Sequence, residues 1–502
     1  MNTIKKIKLA TAIAAGMTLI GCGSSSDSDT VTTASGYEIP SDAIYVSADA
    51  ADGTDITEAF VEAVTDVATD AVIVLPKGNF TISATVNVVA ANGITITGHG
   101  IDATKLDFST SAGNDGIFFD GGNNLTIRDL GVYEVPKNGI KADAVNGIHF
   151  AYTAAVWETP LDAGGQDNGA YGLYPVSSEN VLMEYNYSKG SADAGIYVGQ
   201  SNNIVVRHNV AEHNVAGIEI ENSTMADVYN NEAFDNSAGI LSFDLPGLPQ
   251  AFGANVRIFN NSTYANNTAN VGSGTVGAVP GGTGILILAT SDVEIYNNNI
   301  RDNKSNGVTI TSFFLMDAEL DDEDYTDTLG KGWTPTVKNI NIHDNTFENN
   351  SSDPLTETLF DPVFGGYKEI YGTVPAIIYD GVGELLANYI VAPDTSFLQT
   401  LGVNVGPYAD EELSCVSGNT NANTEGLALT VGSIYGVDAS NAANFNEVGA
   451  PVETLQSIPM GDEATILNCA TAPTRLTAAT VTFKGDVYGC LGDDAELAAC
   501  AL

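Results

Sequence analysis

Basic residues are scarce in this sequence of 502 residues. It has 18 lysines and arginines against 63 aspartates and glutamates, which gives a formal net charge of −45 at pH 7. A surface this acidic repels nucleic acid and anionic lipid headgroups, so we expect neither as a partner. It also repels polyanionic glycans such as pectate or alginate, unless a local basic patch or metal ions compensate.

Long apolar runs are lacking as well. The one candidate, residues 9–20, follows three lysines and is too short to cross a bilayer as a helix. It ends in Leu-Ile-Gly-Cys22, which resembles the signal of bacterial lipoproteins. This resemblance implies a signal peptide over residues 1–21, a lipidated Cys22 and a flexible tether over residues 22–36. No Asp follows Cys22, which by the same resemblance favours the outer membrane, facing the periplasm or the cell surface.

Cysteine and histidine are too few and too scattered to predict a haem or metal site. Four cysteines follow Cys22, all near the C-terminus: Cys415, Cys469, Cys490 and Cys500. An even number in an oxidising compartment predicts two disulfides with three possible connectivities, of which we favour Cys490–Cys500 with Cys415–Cys469. No Cys-x-x-Cys-His motif is present for c-type haem. Loosely bound Ca²⁺ on an acidic run remains open; that run is Asp321, Asp322, Glu323 and Asp324.

A repeat of about 22 residues runs through the first two thirds of the chain. It begins each time with a glycine followed by alternating apolar residues, at Gly172, Gly195, Gly217, Gly239, Gly284 and Gly307. An asparagine lies fourteen residues after four of these glycines, at Asn186, Asn209, Asn231 and Asn298, and Asn261 and Asn345 end equivalent strands. A second series often follows five residues later, at Asn214, Asn236, Asn266, Asn303 and Asn350. We interpret both series as structural, because stacked amides bond to one another along the axis of a repeat protein.

Short strands that recur at this period predict an all-β fold, a right-handed parallel β-helix. One inward row is explicit: Leu173, Ile196, Ile218, Ile240, Ile285 and Val308. A short amphipathic helix near residues 55–67 is expected to cap the N-terminal end. The repeat fades after about Asn350, so we place the β-helix at residues 37–352. Residues 353–502 are then a disulfide-bearing C-terminal cap or a small β-rich module.

Several coils resemble a bacterial family of parallel β-helix domain-containing lipoproteins with a pectin-lyase-like fold. The phrases that carry the resemblance are residues 170–176 (AYGLYPV), 191–201 (SADAGIYVGQS), 215–223 (VAGIEIENS) and 243–249 (FDLPGLP). The resemblance covers roughly residues 37–350. It implies an envelope location and a partner, because members are typically encoded beside a secreted dihaem c-type cytochrome. It implies no reaction. More distantly, the coils are similar to pectate lyases, polygalacturonases and alginate epimerases.

Alternation along the first strand of each coil predicts an outward stripe suited to a glycan. Aromatic rings stack on sugar faces, and carboxylates accept hydrogen bonds from hydroxyls. The long segments 151–169 and 244–270 are expected to wall this groove. The ligand-binding residues predicted for it are Tyr174, Tyr197, Trp157 and Lys141.

Two functions remain open. The leading interpretation is a binding or scaffolding lipoprotein without catalysis, whose ligand is a glycan or the cytochrome. The alternative is a polysaccharide-active enzyme: a hydrolase, lyase or epimerase. A hydrolase needs a pair of carboxylates, and the candidates are Glu219, Glu221, Asp193 and Asp244. A lyase or epimerase needs a base near neutralised carboxylates, but the basic candidates, Lys141, Lys189 and Arg207, are scattered.

Overall fold

The computed structural model describes most of the chain. The described residues are 31–250, 252–316, 328, 333–355, 361–381, 408–422, 429–433, 460–463, 467 and 473–500. Cys22, Cys469 and the acidic run 321–324 lie outside these residues, and so do the predicted signal peptide and most of the tether. None of the described helices is long and apolar enough to cross a membrane.

The chain winds into a parallel β-helix whose coils each contribute up to three strands. The predicted all-β parallel β-helix is thereby confirmed. Strands stack on their counterparts in the next coil and form three files. The first file contains Val86–Asn92, Tyr171–Val176, Ala194–Gly199, Ala216–Glu221, Ala238–Phe243, Thr283–Leu288, Asn306–Thr311, Ile377–Tyr379 and Val431–Ser433.

The second file runs beside the first. It contains Ile44–Tyr45, Val72–Val74, Thr95–Thr97, Glu179–Glu184, Asn202–Arg207, Thr224–Tyr229, Ala254–Phe259, Ser291–Tyr296, Ile340–His343 and Cys415–Ser417. The third contains Gly78–Thr81, Thr104–Asp107, Tyr187–Lys189, Val210–Glu212, Glu232–Phe234, Ser262–Tyr264, Asn299–Arg301, Thr346–Glu348 and Thr420–Asn421. Two long strands, Asp115–Tyr133 and Asn138–Val156, pass through all three files.

Helices are short and lie outside the strand files. They are α1 (Thr57–Val64), α2 (Gly274–Gly277) and α3 (Asp361–Tyr371), with single 3₁₀ turns at Leu161–Ala163, Gly165–Asp167, Phe313–Leu315, Asp410–Glu412 and Ala498–Cys500. Helix α1 is the predicted N-terminal helix. It buries Phe60 and Val64 against the first coils, and the carboxylate of Asp55 accepts the backbone N–H of Thr57 in its first turn.

The interior of the solenoid is apolar along its whole length. Every residue of the predicted inward row is fully buried, and each lies in register with its neighbour, as Ile196 does with Ile218. Burying one such side chain contributes about 1.5–3 kcal/mol relative to exposure. The repeating glycine has a steric cause. A Cβ on Gly217 would lie 2.6 Å from the carbonyl oxygen of Gly239 in the next coil.

Two ladders of buried asparagines run parallel to the axis, as predicted. In the longer one, Asn231 Oδ1 accepts from Asn209 N and Asn209 Nδ2 at 2.9 and 3.0 Å. Its Nδ2 donates to the carbonyl of Val206. The left-handed backbone conformation belongs to the residue before the ladder position, such as Asn230 with φ 54°. The ladder amides therefore satisfy backbone groups that the turn leaves unpaired.

Parallel pairing continues past residue 352, the predicted end of the β-helix. Val308 pairs with Ile377, and Ile377 with Val431. The second and third files also extend, to Cys415–Ser417 and Thr420–Asn421. Insertions separate these strands by far more than one repeat length. The periodicity therefore disappears from the sequence while the stacking persists.

Residues 473–500, here called the C-terminal strap, lie along the flank of the coils and not over their end. The hairpin Val481–Phe483 and Asp486–Tyr488 packs on outward side chains of the second file. Arg207 binds Asp493 and Asp494 of the strap and Glu184 of the neighbouring coil. The predicted Cys490–Cys500 disulfide is present. Cys415 is also disulfide-bonded; its predicted partner, Cys469, lies outside the described residues.

Candidate functional site

The outward side of the first file carries the predicted stripe of functional residues. Phe118, Lys141 and Tyr174 are in register on the N-terminal coils. Tyr197, Glu219, Leu241 and Leu286 follow in register on the next coils. The alternation of the strands thus aims these side chains away from the core, as expected from the sequence. We call this surface the outer face.

The apolar part of the outer face is covered by other segments of the chain. Leu241, Phe243, Leu286 and Leu288 are buried beneath side chains from inserted segments. The covering residues include Val276 of α2, Phe313, Trp333, and Phe364 and Tyr367 of α3. Apolar residues on an outward stripe favour such a cover, because it removes their surface from water.

The other part holds a compact group of aromatic and acidic side chains, which we call the tyrosine–carboxylate cluster. Its members are Tyr171, Tyr174, Tyr197, Asp193, Glu219 and Glu221. The three rings touch one another, with centroids 4.6 Å apart for Tyr171–Tyr174, 4.7 Å for Tyr171–Tyr197 and 5.0 Å for Tyr174–Tyr197. Tyr171, Tyr174, Asp193 and Glu221 are half-buried and open the cluster to solvent.

Hydrogen bonds within the cluster distinguish its three carboxylates. Tyr197 Oη donates to Glu221 Oε1 at 2.6 Å, and the hydroxyl of Tyr171 bonds to Asp193. Glu219, only 3% exposed, has no hydrogen-bond partner for Oε2 among the described residues. None of the three forms a salt bridge within the described part of the chain. The nearby cation Lys141 is paired with Asp143 at 3.1 Å.

Burial without a cation raises the pKa of each of these carboxyls. Desolvation raises the pKa of Glu219 well above its ordinary range, and the charges of Asp193 and Glu221 raise it further. Desolvation, opposed by the Tyr171 hydrogen bond and reinforced by Glu221, raises the pKa of Asp193 to about 7. Burial also raises the pKa of Glu221, although the Tyr197 hydrogen bond opposes this. The three carboxyls therefore ionise at higher pH than free carboxyls do, and their titrations are linked.

These raised pKa values predict an unusual dependence of stability on pH. The pKa of Asp193 rises from 3.8 to about 7 on folding, and that of Glu219 also rises well above its ordinary value. The folded state therefore binds more protons than the unfolded chain in this interval, and this contribution to stability falls as the pH rises through it. We expect Glu219→Gln to raise the thermal unfolding midpoint at pH 8, and to raise it less at pH 5. Thermal unfolding followed by circular dichroism measures both.

A matched control is Glu179→Gln, which removes one charge from an exposed position on the second file. It should leave the difference between pH 5 and pH 8 unchanged. A Glu219→Gln protein with the same unfolding midpoint as the native chain at both pH values would contradict the raised pKa of Glu219.

The remaining predicted residues lie elsewhere. Trp157 is not a surface ligand: it is buried in the interior, and its Nε1 donates to the carbonyl of Val135. Asp244 is buried at the covered end, where desolvation and the charge of Glu221 raise its pKa, opposed by a backbone hydrogen bond from Gly253. Lys141 borders the cluster, with Nζ 5.6 Å from the ring centroid of Tyr174.

Tyr171 is a member of the cluster that the sequence did not predict. Strict alternation places it on the same side as the inward Leu173. The register of the first file, however, pairs Ala194 with Ala216 and Ile196 with Ile218 and skips the glycine between them. The alternation breaks at that glycine, so Tyr171 turns to the outer face. The repeated glycine was the sequence feature from which this break in alternation could have been predicted.

Two of the three basic candidates for lyase chemistry, Lys189 and Arg207, are engaged in ion pairs away from the cluster. Lys189 binds Glu158, and Arg207 binds the C-terminal strap. Among the described residues, no group of three or more His, Cys, Asp or Glu side chains has the arrangement to hold a metal ion.

Residues 92–244 match the family described as "Right handed beta helix region", which agrees with the predicted hand of the solenoid. No curated protein matches the sequence. Similar solved structures include the A-module of mannuronan C-5 epimerase AlgE4 from Azotobacter vinelandii, with 15% identity and a TM-score of 0.47 over 75% of this chain and 95% of that one. The Agl-KA catalytic domain has 12% identity and a TM-score of 0.46, over 76% and 66% of the two chains.

Proposed function

We propose that the protein is a glycan-binding β-helix whose binding site is the tyrosine–carboxylate cluster. The observation that carries this proposal is the contact of three tyrosine rings beside three carboxyls on the part of the outer face that remains open. Sugars are bound by aromatic faces together with fixed hydrogen-bonding groups. Tyrosine hydroxyls and carboxyl oxygens supply donors and acceptors for sugar hydroxyls.

The proposed place of action is the cell envelope. The Leu-Ile-Gly-Cys22 sequence supports a lipid anchor at Cys22, followed by a polar tether rich in serine and aspartate. Through this segment the anchor would keep the β-helix near the membrane surface. A partner cytochrome stays a prediction from the family resemblance alone.

Binding of the full chain to a panel of neutral, cationic and anionic oligosaccharides tests the proposal. Tyr174→Ala removes a half-exposed ring and is expected to weaken binding of any glycan hit by about tenfold, the loss of roughly one stacking contact. Tyr45→Ala is the control, because Tyr45 is exposed on the second file, away from the cluster. Absence of binding to every oligosaccharide, or equal binding by Tyr174→Ala, would overturn the proposal.

Glycoside hydrolysis is the second candidate, favoured by the unequal environments of Glu219 and Glu221. Glu219, whose pKa is raised by burial, is suited to protonate a leaving oxygen, and Glu221, which accepts from Tyr197, is suited to act as the base. Two residues apart on one strand, they are separated by about 6.5–7 Å, the lower edge of the inverting range. New reducing ends that Glu219→Gln abolishes would support hydrolysis; their absence across the panel leaves binding alone.

A further inference from the structure

We infer that the ligand of the tyrosine–carboxylate cluster is cationic, namely a glycan that carries free, protonated amino groups. This inference rests on the proposed glycan-binding function and narrows it to one class of sugar. It starts from an imbalance of charge at the site. Three acidic side chains meet on the outer face, and within the described chain none of them has a basic partner.

The unsatisfied atoms identify what the site lacks. Glu219 Oε2 is buried and has no hydrogen-bond partner among the described residues, and the same is true of Asp244 Oδ1. The charge of Glu221 reaches both Glu219 and Asp244. Buried carboxylate oxygens are ordinarily satisfied by donors or cations. A ligand at the cluster that donates several hydrogen bonds and carries positive charge would satisfy Glu219 Oε2, and an ammonium group does both.

The aromatic rings favour an organic ammonium over a metal ion. A cation over a tyrosine face is attracted by the ring, and the attraction increases when water is excluded. Here three rings in mutual contact border the carboxylates, and Tyr197 and Tyr171 are already tied to Glu221 and Asp193. The described acidic side chains do not have the arrangement of a metal site. An ammonium group needs no such tight coordination shell.

The position of the cluster fits a sugar amine projecting from a chain. Asp193, Glu221, Tyr171 and Tyr174 are half-buried at the opening, and Glu219 lies at the base. At one end Lys141, paired with Asp143, marks the limit of the acidic surface. At the other end the covering side chains close over Phe243 and Leu288. An oligosaccharide across the opening would place one amino group over Glu219.

The decisive comparison uses two oligosaccharides that differ only in whether the 2-amino group is free or acetylated. Oligomers of β-1,4-linked glucosamine and fully N-acetylated oligomers of the same length are titrated into the full chain by calorimetry at pH 6.5 and 0.15 M salt. We expect the amine form to bind at least about tenfold more tightly. Glu219→Gln should bring the ratio of the two dissociation constants close to one, and Glu221→Gln should lower it.

Glu179→Gln is the matched control for general attraction by the acidic surface. It removes one exposed carboxylate and should leave the ratio as in the native chain, whereas a purely diffuse attraction would respond equally to both losses of charge. Equal or tighter binding of the N-acetylated oligomer overturns the cationic ligand and leaves glycan binding intact. Absence of binding to any glycan overturns the proposed function as well. Ca²⁺ binding that Glu219→Gln abolishes, without an amine preference, would replace the amine with a metal ion.

Discussion

Arg257→Met is expected to destabilise the β-helix by about 3–5 kcal/mol, because it leaves a buried carboxylate without its partner. Arg257 and Asp227 are fully buried on adjacent coils of the second file. Two hydrogen bonds join them, Nε to Oδ1 at 2.7 Å and Nη2 to Oδ2 at 2.5 Å. Desolvation raises the pKa of Asp227 even though Arg257 opposes it. Burying the ion pair therefore costs free energy of desolvation, and burying one charged member without the other costs more.

The double variant Arg257→Met with Asp227→Leu separates this charge effect from lost packing. It removes both charges and should recover most of the stability. Arg301→Met is the exposed counterpart, since the Arg301–Asp302 pair is accessible to solvent, and its loss should change stability by no more than about 1 kcal/mol. Urea unfolding followed by tyrosine fluorescence measures all three. A double variant as unstable as Arg257→Met would show that packing, and not charge, governs the site.

Asn231→Ala is the second change with a large expected effect, about 3–5 kcal/mol. Asn231 is buried in the middle of the longer ladder, and its side chain takes part in four hydrogen bonds, with Asn209, Val206 and Asn261. Its removal leaves the N–H of Asn209 and the carbonyl of Val206 buried without those partners. Each unsatisfied group costs about 1–3 kcal/mol, and a cavity adds to the loss.

The exposed Asn123 is the control, because among the described residues its side-chain amide bonds to the exposed Asn92 one coil away. Asn123→Ala should change the unfolding free energy by less than about 0.5 kcal/mol. Hydrogen exchange adds a local measurement, in which the amide of Asn209 should lose protection in Asn231→Ala before distant coils do. If water replaced the lost amide, the two variants would be equally stable and the Asn209 amide would stay protected.

The inward row and both asparagine ladders could be predicted because each coil has to bury an apolar side chain and pair the backbone groups of a turn at the same position. Ile196 and Ile218 occupy equivalent positions, and so do Asn209 and Asn231, so the period alone reveals which residues stack. The direction of Glu219 followed from the same alternation. Its burial did not, because that depends on the side chains around it and on inserted segments that obey no period. Trp157 shows the same difficulty: its loop position suggested exposure, but only the folded coil shows that its ring fills the interior.

The C-terminal third resisted prediction for a related reason. The pairing of Val308 with Ile377 spans an insertion that no repeat length anticipates. Contacts between Arg207 and Asp494 join residues far apart in sequence and leave no periodic trace. Only the short spacing of Cys490 and Cys500 indicated a closed loop there. Local chemistry was therefore predictable, and the long-range docking of that loop was not.

The C-terminal strap has a consequence for the order of events during synthesis. Coils of a solenoid can form as they emerge, since each contacts mainly its neighbours. The rings of Tyr229, Phe259 and Tyr296 belong to coils completed early, but they are covered by the strap, which is made after them. Until those residues arrive, this apolar row faces solvent on a nascent chain. A chain terminated before the strap would therefore form coils but leave this apolar row exposed and prone to aggregate. Docking of the strap protects the row.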